Sequence, residues 1–437
     1  MKILILSPLS LSMFIVPRLN KEPEIEKIYF YIKDTNMKCV GRGMENVQDW
    51  EKLELVSDYS KVLNENKPSE LIVFIDDVGM GETGKYLRDI GYKVIGGTPF
   101  TDRIEEERQF ATDLMKRIMN VPDSTSFTSF DAGMQFIKNF EPEERLIFKP
   151  NDSEVPKEYT YVSKDVPDLL EAMKSFEAEW KWKEDFQIQK FIKGVEVDFS
   201  AFFNGKEYLT NSMMIYFENK PLCSGNIGPA TGGSIAVEFA RKPDGIFWPI
   251  LEKLKPALQK VGYKGQLAIN CIVSEEDHKP YFLEFCGRIG YPSFPIDISL
   301  MEEKGKSVWN LIKALANGEN PDLFPTDKIA VTASVYSIPI STSKNITDFK
   351  YEPVDWDIKY DKYFFPYFIM YDEGIVMAGV APDVMNVTCV GSTIDGAVSM
   401  LYDIYMPALH LKDKVYRDDL GKDAKERIKA LREWKVL

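Results

Sequence analysis

Short hydrophobic runs alternate with amphipathic segments over the first hundred residues of the chain. Four runs have the length and apolar character of buried strands: Lys2–Leu6, Ile28–Tyr31, Leu71–Ile75 and Lys93–Ile95. Between the last two, Glu82–Ile90 places its apolar residues at helical spacing. Alternation of strands and helices is typical of a parallel sheet covered by helices. We therefore predict an N-terminal α/β domain that begins with a buried strand.

The next hundred residues show a similar alternation with shorter strands. A helix is predicted over Glu105–Met119, because this segment is acidic at its start and basic at its end. Strands are predicted at Ile147–Lys149 and Phe186–Phe191. The segment between them, Asp165–Glu179, reads as a helix whose first residue is suited to cap it. This order of elements predicts a second α/β unit.

From about residue 195 the hydrophobic segments lengthen and alternate with period two, which indicates an antiparallel sheet. The predicted strands are Val195–Phe203, Gly265–Val273, Pro280–Phe285, Ile329–Tyr336 and Gly374–Val380. Helices are predicted at Pro249–Val261, at Thr393–Tyr405 and at the charged end of the chain. The predicted class is therefore α/β, with an α+β arrangement in the middle of the chain.

Charge and cysteine content exclude several classes of function. The 437 residues include 68 acidic and 54 basic side chains, and the net charge of −14 would repel nucleic acid and anionic membranes. Five scattered cysteines form no Cys-x-x-Cys pair, which predicts a reducing, cytoplasmic environment. Two distant histidines argue against a His-rich zinc site or a Ser-His-Asp triad. No apolar stretch approaches the roughly 20 residues of a membrane span.

Four features that suit nucleotide binding follow one another along the chain. The first is Lys149, at the end of a predicted strand, with Lys157 beyond it. A lysine in this place can reach a nucleotide phosphate, although most lysines are simply solvated. The second is Gln189–Glu196, a strand followed by a glycine turn. Its backbone can bind the edge of an adenine and Glu196 the ribose hydroxyls, and a plain hairpin turn is the alternative.

The third feature is the glycine-rich segment Gly225–Gly233, whose backbone amides can approach an anion closely unless it is merely a flexible loop. The fourth is a pair of strands, Gly265–Asn270 and Tyr281–Arg288, that place oxygen ligands near one face. Glu284 stands among apolar residues there, and a buried carboxylate needs a partner such as Mg²⁺. Arg288 can brace phosphate oxygens or form a structural ion pair with Glu284.

In this order, the features resemble the ATP-grasp superfamily, and within it phosphoribosylamine–glycine ligase. The resemblance spans roughly residues 90–430. Gly228–Gly233 is similar to the family's Gly-Pro-Asn-Thr-Gly-Gly, Leu283–Arg288 to its metal-and-phosphate strand, and Tyr416–Gly421 to its closing segment. It implies an ATP-grasp architecture with an N-terminal parallel-sheet domain (1–103), a connecting helix (104–122), a lid subdomain (123–192), a central domain (193–325) and a small C-terminal domain (326–437).

The resemblance also implies roles for individual residues. The residues expected to bind ATP are Arg108, Lys149, Gln189, Lys190, Phe191, Ile192 and Glu196. The expected ligands of Mg²⁺, or of Mn²⁺ in its place, are Glu284 and Asn270. The expected catalytic residues are Arg288 and Lys157. The expected substrate-binding residues are Gly228, Pro229, Thr231, Gly232 and Gly233.

The chain departs from the family pattern at several functional positions. The first substrate turn reads Ser7–Ser12, without the family's glycines and arginine, and the second reads Asp76–Gly79. The lid segment, Asn151–Pro156, contains no glycine. Cys286 stands where the family has an asparagine ligand, and sulfur is a poor ligand for Mg²⁺. Gly290–Ser293 replaces the family's Gly-Asp-Pro-Glu. The scaffold is thus retained, while the acceptor pocket and the lid are altered.

The sequence therefore predicts an ATP-dependent carboxylate–amine ligase that works through an acyl phosphate, with glycine or another amino acid as the acid. One alternative is an authentic phosphoribosylamine–glycine ligase of purine biosynthesis, against which the turn at Ser7–Ser12 argues. The other is a degenerate, non-catalytic nucleotide-binding protein, which Cys286 and the missing lid glycines favour. We expect a cytoplasmic monomer or homodimer with small-molecule acid and amine substrates, and no nucleic-acid or membrane partner.

Overall fold

The computed structural model describes residues 1–151, 160–179, 185–338 and 352–437. Lys157 and the predicted lid segment from 152 onward lie outside these ranges. None of the described helices is long and apolar enough to cross a membrane. The predicted fold class is confirmed, because a parallel sheet with helices is followed by antiparallel sheets.

Five parallel strands form the N-terminal sheet: β1 (Lys2–Ser7), β2 (Lys27–Ile32), β3 (Leu53–Val56), β4 (Leu71–Ile75) and β5 (Lys93–Ile95). Their order is β3-β2-β1-β4-β5. The first three helices are α1 (Val16–Asn20), α2 (Tyr59–Glu65) and α3 (Gly81–Asp89). Because β1 and β4 are neighbours and run in the same direction, the turns that follow them, at 8–12 and 76–80, meet at one edge of the sheet.

The helix predicted at Glu105–Met119 is wrong in its start and in its continuity. Two helices are present instead, α4 (Pro99–Glu106) and α5 (Arg108–Met115). α4 begins earlier because a threonine capping box and a proline define its first turn. Glu107 interrupts the helix with φ −98° and ψ 87°, although glutamate favours helices, so no local signal marks the break. The break makes Arg108 the first residue of α5.

A small antiparallel sheet backed by two helices forms the next unit. Its described strands are β6 (Ser124–Phe127), β7 (Leu146–Pro150), β8 (Tyr161–Val162) and β9 (Phe186–Lys190). Their order is β6-β9-β7-β8, and the helices are α6 (Phe130–Ile137) and α7 (Val166–Glu179). Asp165 caps α7 as predicted, because its carboxylate accepts the backbone N–H of Asp168 at 2.8 Å. Phe148 and Phe186 lie in the core with ring centroids 4.9 Å apart.

A long antiparallel sheet carries most of the remaining chain. Its first strands are β10 (Gly194–Phe203), β11 (Met213–Cys223), β12 (Ile227–Arg241), β13 (Gly265–Ser274), β14 (Pro280–Cys286) and β15 (Ile329–Ser337). They lie in the order β14-β13-β10-β11-β12-β15, so that β10 and β13, distant in sequence, are neighbours. The helices of this part are α8 (Trp248–Lys260), α9 (Ser293–Glu303) and α10 (Val308–Asn317).

The long sheet continues into the last part of the chain. The later described strands are β16 (Asp355–Trp356), β17 (Phe364–Pro366), β18 (Ile369–Tyr371), β19 (Ile375–Met377), β20 (Asp383–Gly391), β21 (Leu409–His410) and β22 (Lys414–Val415). The last helices are α11 (Ile394–Met400) and α12 (Lys422–Glu433). β20 pairs with β15, and β17 and β22 also join this sheet. One sheet therefore spans the proposed boundary at 325–326, and the domain limits stay predictions.

The glycine-rich segment belongs to a strand, where the sequence suggested an anion-binding segment or a flexible loop. Residues 227–233 are the first part of β12, which pairs with β11 as an antiparallel hairpin. Gly228 and Gly233 adopt φ of 87° and 133°, which favours glycine, and the register shifts near Pro221. Glycine and proline are depleted in strands, so the local composition concealed this hairpin.

Candidate functional site

One face of the long sheet carries a row of polar residues across five strands. Glu284 on β14 lies opposite Asn270 on β13, which lies opposite Asp198 on β10. The row continues through Tyr216 on β11 to Glu238 on β12. Residues opposite each other in an antiparallel sheet share a face, so the strand register brings these five side chains together.

Charged side chains from two sheets and one helix meet at the Glu284 end of this row. We call them the charged cluster: Arg108, Lys149, Glu196, Lys220 and Glu284. Lys220 Nζ lies 3.1 Å from Oε1 of Glu284 and 3.2 Å from Oε1 of Glu218. The negative charge of Glu218, and after it that of Glu284, raises the pKa of Lys220 well above its usual value, although burial alone would lower it. Glu196 Oε1 accepts a hydrogen bond from Nδ2 of Asn270 at 3.1 Å.

Lys149 reaches the charged cluster from β7 and is 8% exposed. Burial, and then the positive charge of Arg108, lower the pKa of Lys149 to about 8, although Glu284 and Glu196 oppose the shift. Burial also lowers the pKa of Arg108. Two cations are therefore held with too little negative charge around them. An anionic ligand such as a phosphate would supply the missing charge.

Arg288 lies between the charged cluster and the N-terminal sheet. Its Nε is 3.3 Å from Oε1 of Glu105 and 3.4 Å from Oδ1 of Asp77. Glu105 also accepts the backbone N–H of Gly287 at 2.7 Å, which ties α4 to the end of β14. The acids that hold Arg288 are therefore Glu105 and Asp77, rather than Glu284 as the structural alternative supposed.

The predicted adenine segment lies where β9 ends. Gln189 is on β9 and is 5% exposed, Lys190 is its last residue, and Ile192 lies in the turn beyond. The backbone N–H groups of Lys190 and Phe191 donate to carbonyl oxygens of neighbouring segments at 2.8 and 3.2 Å. The guanidinium of Arg145 lies 3.9 Å from the centroid of the Phe191 ring. Two backbone donors that the prediction offered to an adenine are thus already used within the protein.

The hairpin of β11 and β12 brings part of the predicted substrate segment to the charged cluster. Thr231 Oγ1 donates to the carbonyl oxygen of Lys220 at 2.7 Å. Gly233 packs so closely that a Cβ at this position would lie 2.5 Å from Cδ of Pro292. The other predicted residues of the segment are exposed: Gly228, Pro229 and Gly232. Thr231 and Gly233 therefore act through the framework around the cluster.

A cavity of ≈ 200 Å³ adjoins the charged cluster. It is bounded by β14, by α4 and α5, and by residues at the end of β7. Its polar lining includes Glu105, Arg108, Asn151 and Glu284, and its apolar lining includes Phe282. A concave site with a few polar groups among apolar walls is suited to a small molecule.

Glu284 of the charged cluster and its neighbour Asn270 offer oxygen ligands that suit a hard divalent cation, provided that other groups complete its coordination shell. Glu284 and Asn270 are register partners, and both carry side-chain oxygens. Over residues 1–151, 160–179, 185–338 and 352–437, no three His, Cys, Asp or Glu side chains converge to hold a metal by themselves. Mg²⁺ commonly takes one or two carboxylates and completes its shell with water and substrate phosphates. The donor set therefore suits Mg²⁺ bound together with a nucleotide.

Three comparisons place this architecture among known proteins. Phosphoribosylamine–glycine ligase from Thermotoga maritima is similar with a TM-score of 0.71, 17% identity, and coverage of 96% of this chain and 100% of its own. The chain has the ATP-grasp fold. The biotin carboxylase domain of 2-oxoglutarate carboxylase from Hydrogenobacter thermophilus, solved with MgADP and bicarbonate, has a TM-score of 0.61 and 10% identity over 98% of this chain and 97% of its own. No protein-family model and no curated protein matches the chain by sequence.

A third similar structure is an amino acid ligase. L-amino acid ligase from Bacillus licheniformis has a TM-score of 0.55 and 13% identity, and the similarity covers 94% of this chain and 98% of its own. Identities this low show the shared ATP-grasp fold and leave the substrates to the residues of this chain.

Sequence reasoning missed two charged residues at this site: Lys220 of the charged cluster and Asp198 of the polar row. Lys220 lies on β11, a strand that was not predicted. Asp198 lies two residues after Glu196 on β10 and therefore shares its face. A signal was present for the first, because Tyr216, Glu218 and Lys220 alternate with period two immediately before the glycine-rich segment.

Proposed function

We propose that this ATP-grasp protein is an ADP-forming carboxylate–amine ligase. ATP phosphorylates a substrate carboxylate, ADP leaves, and an amine attacks the resulting acyl phosphate and expels inorganic phosphate. Glycine or another amino acid is the proposed acid. The observation that supports the proposal most strongly is the meeting of Arg108, Lys149 and Lys220 with two carboxylates, Glu196 and Glu284, beside a small cavity.

The proposed role of each residue follows from its place. Lys149 and Arg108 hold phosphate charge, since Lys149 is buried, Arg108 is partly buried, and burial lowers the pKa of both. Glu196, which Asn270 orients, holds the ribose. Arg288, fixed by two acids, stabilises the oxygens of the transferred phosphoryl group. Such a site lowers the barrier by positioning and charge neutralisation, and it needs no histidine base. The proposed catalytic role of Lys157 rests on the family resemblance alone.

Glu284 and Asn270 are the proposed ligands of Mg²⁺, or of Mn²⁺ in its place. When bound, the ion neutralises phosphate charge in the transition state. Lys220 holds Glu284 at 3.1 Å, so a metal ion has to share this carboxylate with an ammonium group. Cys286 adds a sulfur where a hard oxygen would suit Mg²⁺ better. We therefore expect metal dependence with modest affinity.

The first experiment measures nucleotide binding and turnover separately. MgATP should raise the melting temperature of the wild-type protein, because a ligand that binds the folded state stabilises it. The double variant Lys149→Ala with Glu196→Ala should lose this shift. ADP release is then measured with glycine and a panel of amines. A thermal shift without ADP release for any pair would favour the non-catalytic alternative, and no shift at millimolar nucleotide would refute the proposal.

A second candidate is an authentic phosphoribosylamine–glycine ligase, which the TM-score of 0.71 with that enzyme favours. Two buried acids, Asp76 and Asp77, at the turn that would face the phosphate of phosphoribosylamine argue against it. The deciding assay supplies freshly generated phosphoribosylamine, glycine and ATP, alongside complementation of a purine auxotroph. Robust formation of glycinamide ribonucleotide would establish the second candidate.

A further inference from the structure

On the far side of Arg288 from the charged cluster lies a second polar group. We call it the tyrosine–aspartate cluster: Asp76, Asp77, Tyr291, Tyr367 and Asp383. Asp77 joins it to Arg288 at 3.4 Å. Asp76 is 1% exposed, and its Oδ2 accepts hydrogen bonds from the backbone N–H and the hydroxyl of Ser12 at 3.2 and 2.6 Å. The cluster therefore lies at the turn where the chain departs from the ligase family.

Three buried polar atoms of this cluster have no hydrogen-bond partner within the described residues: Oδ1 of Asp76 and the hydroxyls of Tyr291 and Tyr367. The two tyrosine rings stack with centroids 4.9 Å apart and an interplanar angle of 16°. Tyr291 follows Arg288 by three residues, and the backbone N–H of Tyr367 donates to the carbonyl oxygen of Val384, next to Asp383, at 2.9 Å. Burial, and then the charges of Tyr367, Asp76 and Asp383, raise the pKa of Tyr291 well above its usual value. Each unpartnered buried group costs about 1–3 kcal/mol, so a ligand that donates hydrogen bonds to these atoms would be stabilised here.

We propose that the tyrosine–aspartate cluster binds the ammonium group of the amine acceptor, and that this acceptor carries no phosphate at that end. The assignment rests on the proposed ligase function. An ammonium group has three N–H donors, and three oxygen acceptors are unpartnered here. The faces of stacked tyrosines also attract a cation. Phosphate has no donor of its own at neutral pH and would meet the acids Asp76, Asp77 and Asp383.

The location is consistent with the order of the reaction. Asp77 touches Arg288, which is proposed to hold the transferred phosphoryl group, so an amine beside Asp76 lies next to the acyl phosphate. Pro292, adjacent to Tyr291, packs against Gly233 of the predicted substrate segment. The tyrosine–aspartate cluster therefore adjoins the glycine-rich hairpin.

Saturation-transfer NMR on the full chain tests the proposal with ethanolamine, ethylene glycol and O-phosphoethanolamine as probes. Ethanolamine should give a signal and ethylene glycol should give none. O-phosphoethanolamine should give a weaker signal than ethanolamine, because its phosphate lies two carbons from the ammonium group and would meet the nearby acids. The signal should fall at least fivefold in Asp76→Asn and severalfold in Tyr367→Phe, which keeps the stacked ring and protects the test if Asp76→Asn fails to fold. Asp327→Asn, at an exposed aspartate, is the matched control and should leave the signal unchanged.

Absence of an ethanolamine signal, a signal unchanged in both variants, or preference for O-phosphoethanolamine would overturn the inference. Glycine is a fourth probe, and a signal from glycine alone that Asp76→Asn removes would assign the cluster to the amino-acid donor instead. The MgATP thermal shift is measured on the same samples. Amine binding without that shift would refute the ligase function and with it the acceptor role, whereas the shift without amine binding would refute this inference alone.

Discussion

The two sides of Arg288 favour ligands of opposite charge. The charged cluster holds Lys149 and Arg108, whose pKa values are lowered by burial. The tyrosine–aspartate cluster holds Asp76, and burial raises the pKa of its carboxyl group to about 7. In each cluster a buried ionisable group lacks counter-charge, so a ligand of opposite sign stabilises it. If the proposed function is correct, the phosphate-binding side has kept its basic residues while the acceptor side has become acidic.

Glu284→Gln should have the largest effect, because it removes the proposed metal ligand and the partner of Lys220 from the charged cluster. ADP release should fall about 10²- to 10³-fold, while the melting temperature stays close to that of the wild type. Glu143→Gln, at an exposed glutamate, is the control and should retain full activity. Full turnover by the Glu284→Gln variant, or by the wild type in excess chelator, would show that the charged cluster takes no part in the reaction.

Lys149→Met tests whether the uncompensated cation serves a phosphate. Losing a charge-assisted contact costs about 1.5–3 kcal/mol, so kcat/KM for ATP should fall about 10- to 100-fold. The nucleotide-free protein should lose no stability, because the buried ammonium is itself costly. Urea unfolding and steady-state kinetics measure the two effects, with exposed Lys61→Met as control. Strong destabilisation with unchanged kinetics would make Lys149 a structural residue.

Asp76→Asn tests the tyrosine–aspartate cluster through the pH dependence of protein stability, measured in the absence of an amine ligand. The folded-state pKa of about 7 lies above the ordinary value of 3.8, so between these values the folded protein keeps a proton that the unfolded chain has lost. Its contribution to the free energy of unfolding therefore falls as the pH rises through this window and levels off above pH 7. Asp76→Asn should remove this slope and stabilise the protein at pH 8 by on the order of 2–4 kcal/mol.

Urea unfolding between pH 5 and pH 8 measures this effect, with Asp327→Asn as the control that keeps the wild-type slope. If the wild-type and Asp76→Asn proteins show the same pH profile, Asp76 is ionised at neutral pH in the folded protein. The proposed contrast in charge between the two clusters would then not hold for the tyrosine–aspartate cluster.

Cys286→Asn should have the smallest effect, and it tests whether position 286 belongs to the metal site beside the charged cluster. An amide oxygen next to Glu284 suits Mg²⁺ better than sulfur does, so the Mg²⁺ concentration for half-maximal ADP release should fall by up to about 10-fold. Cys223→Asn, at an exposed cysteine of the β11–β12 hairpin, is the matched control. An unchanged Mg²⁺ requirement would exclude position 286 from the metal site.

Local sequence patterns predicted an element correctly where burial alone decides its secondary structure. The predicted strand Leu71–Ile75 has the same bounds as β4, because its continuous apolar run suits a strand buried on both faces. The failures have a different cause. The break at Glu107 and the strand β12 both contradict the propensities of their own residues. For β12, pairing with β11 and β15 compensates for the local cost.

The site shows the same division. Lys149, Glu196, Glu284 and Arg288 were recognisable because their residue types stand at strand ends in an order that resembles ATP-grasp enzymes. For Lys220, the local alternation could at most have placed it on a strand. Its contact with Glu284, 64 positions away in sequence, could not be predicted.

The sequence by itself determined the fold class, the order of most elements and the types of residue available for phosphate and metal. The tertiary structure alone decided which charges share a site. Asp198 lies opposite Asn270 only because β10 and β13 are neighbours. Asp77 lies 3.4 Å from Arg288 only because the turn after β4 packs on the segment after β14. Periodicity is a local property, which a single segment reveals. Register and docking depend on the free energy of the whole packed chain, because each strand could bury its apolar face against more than one neighbour.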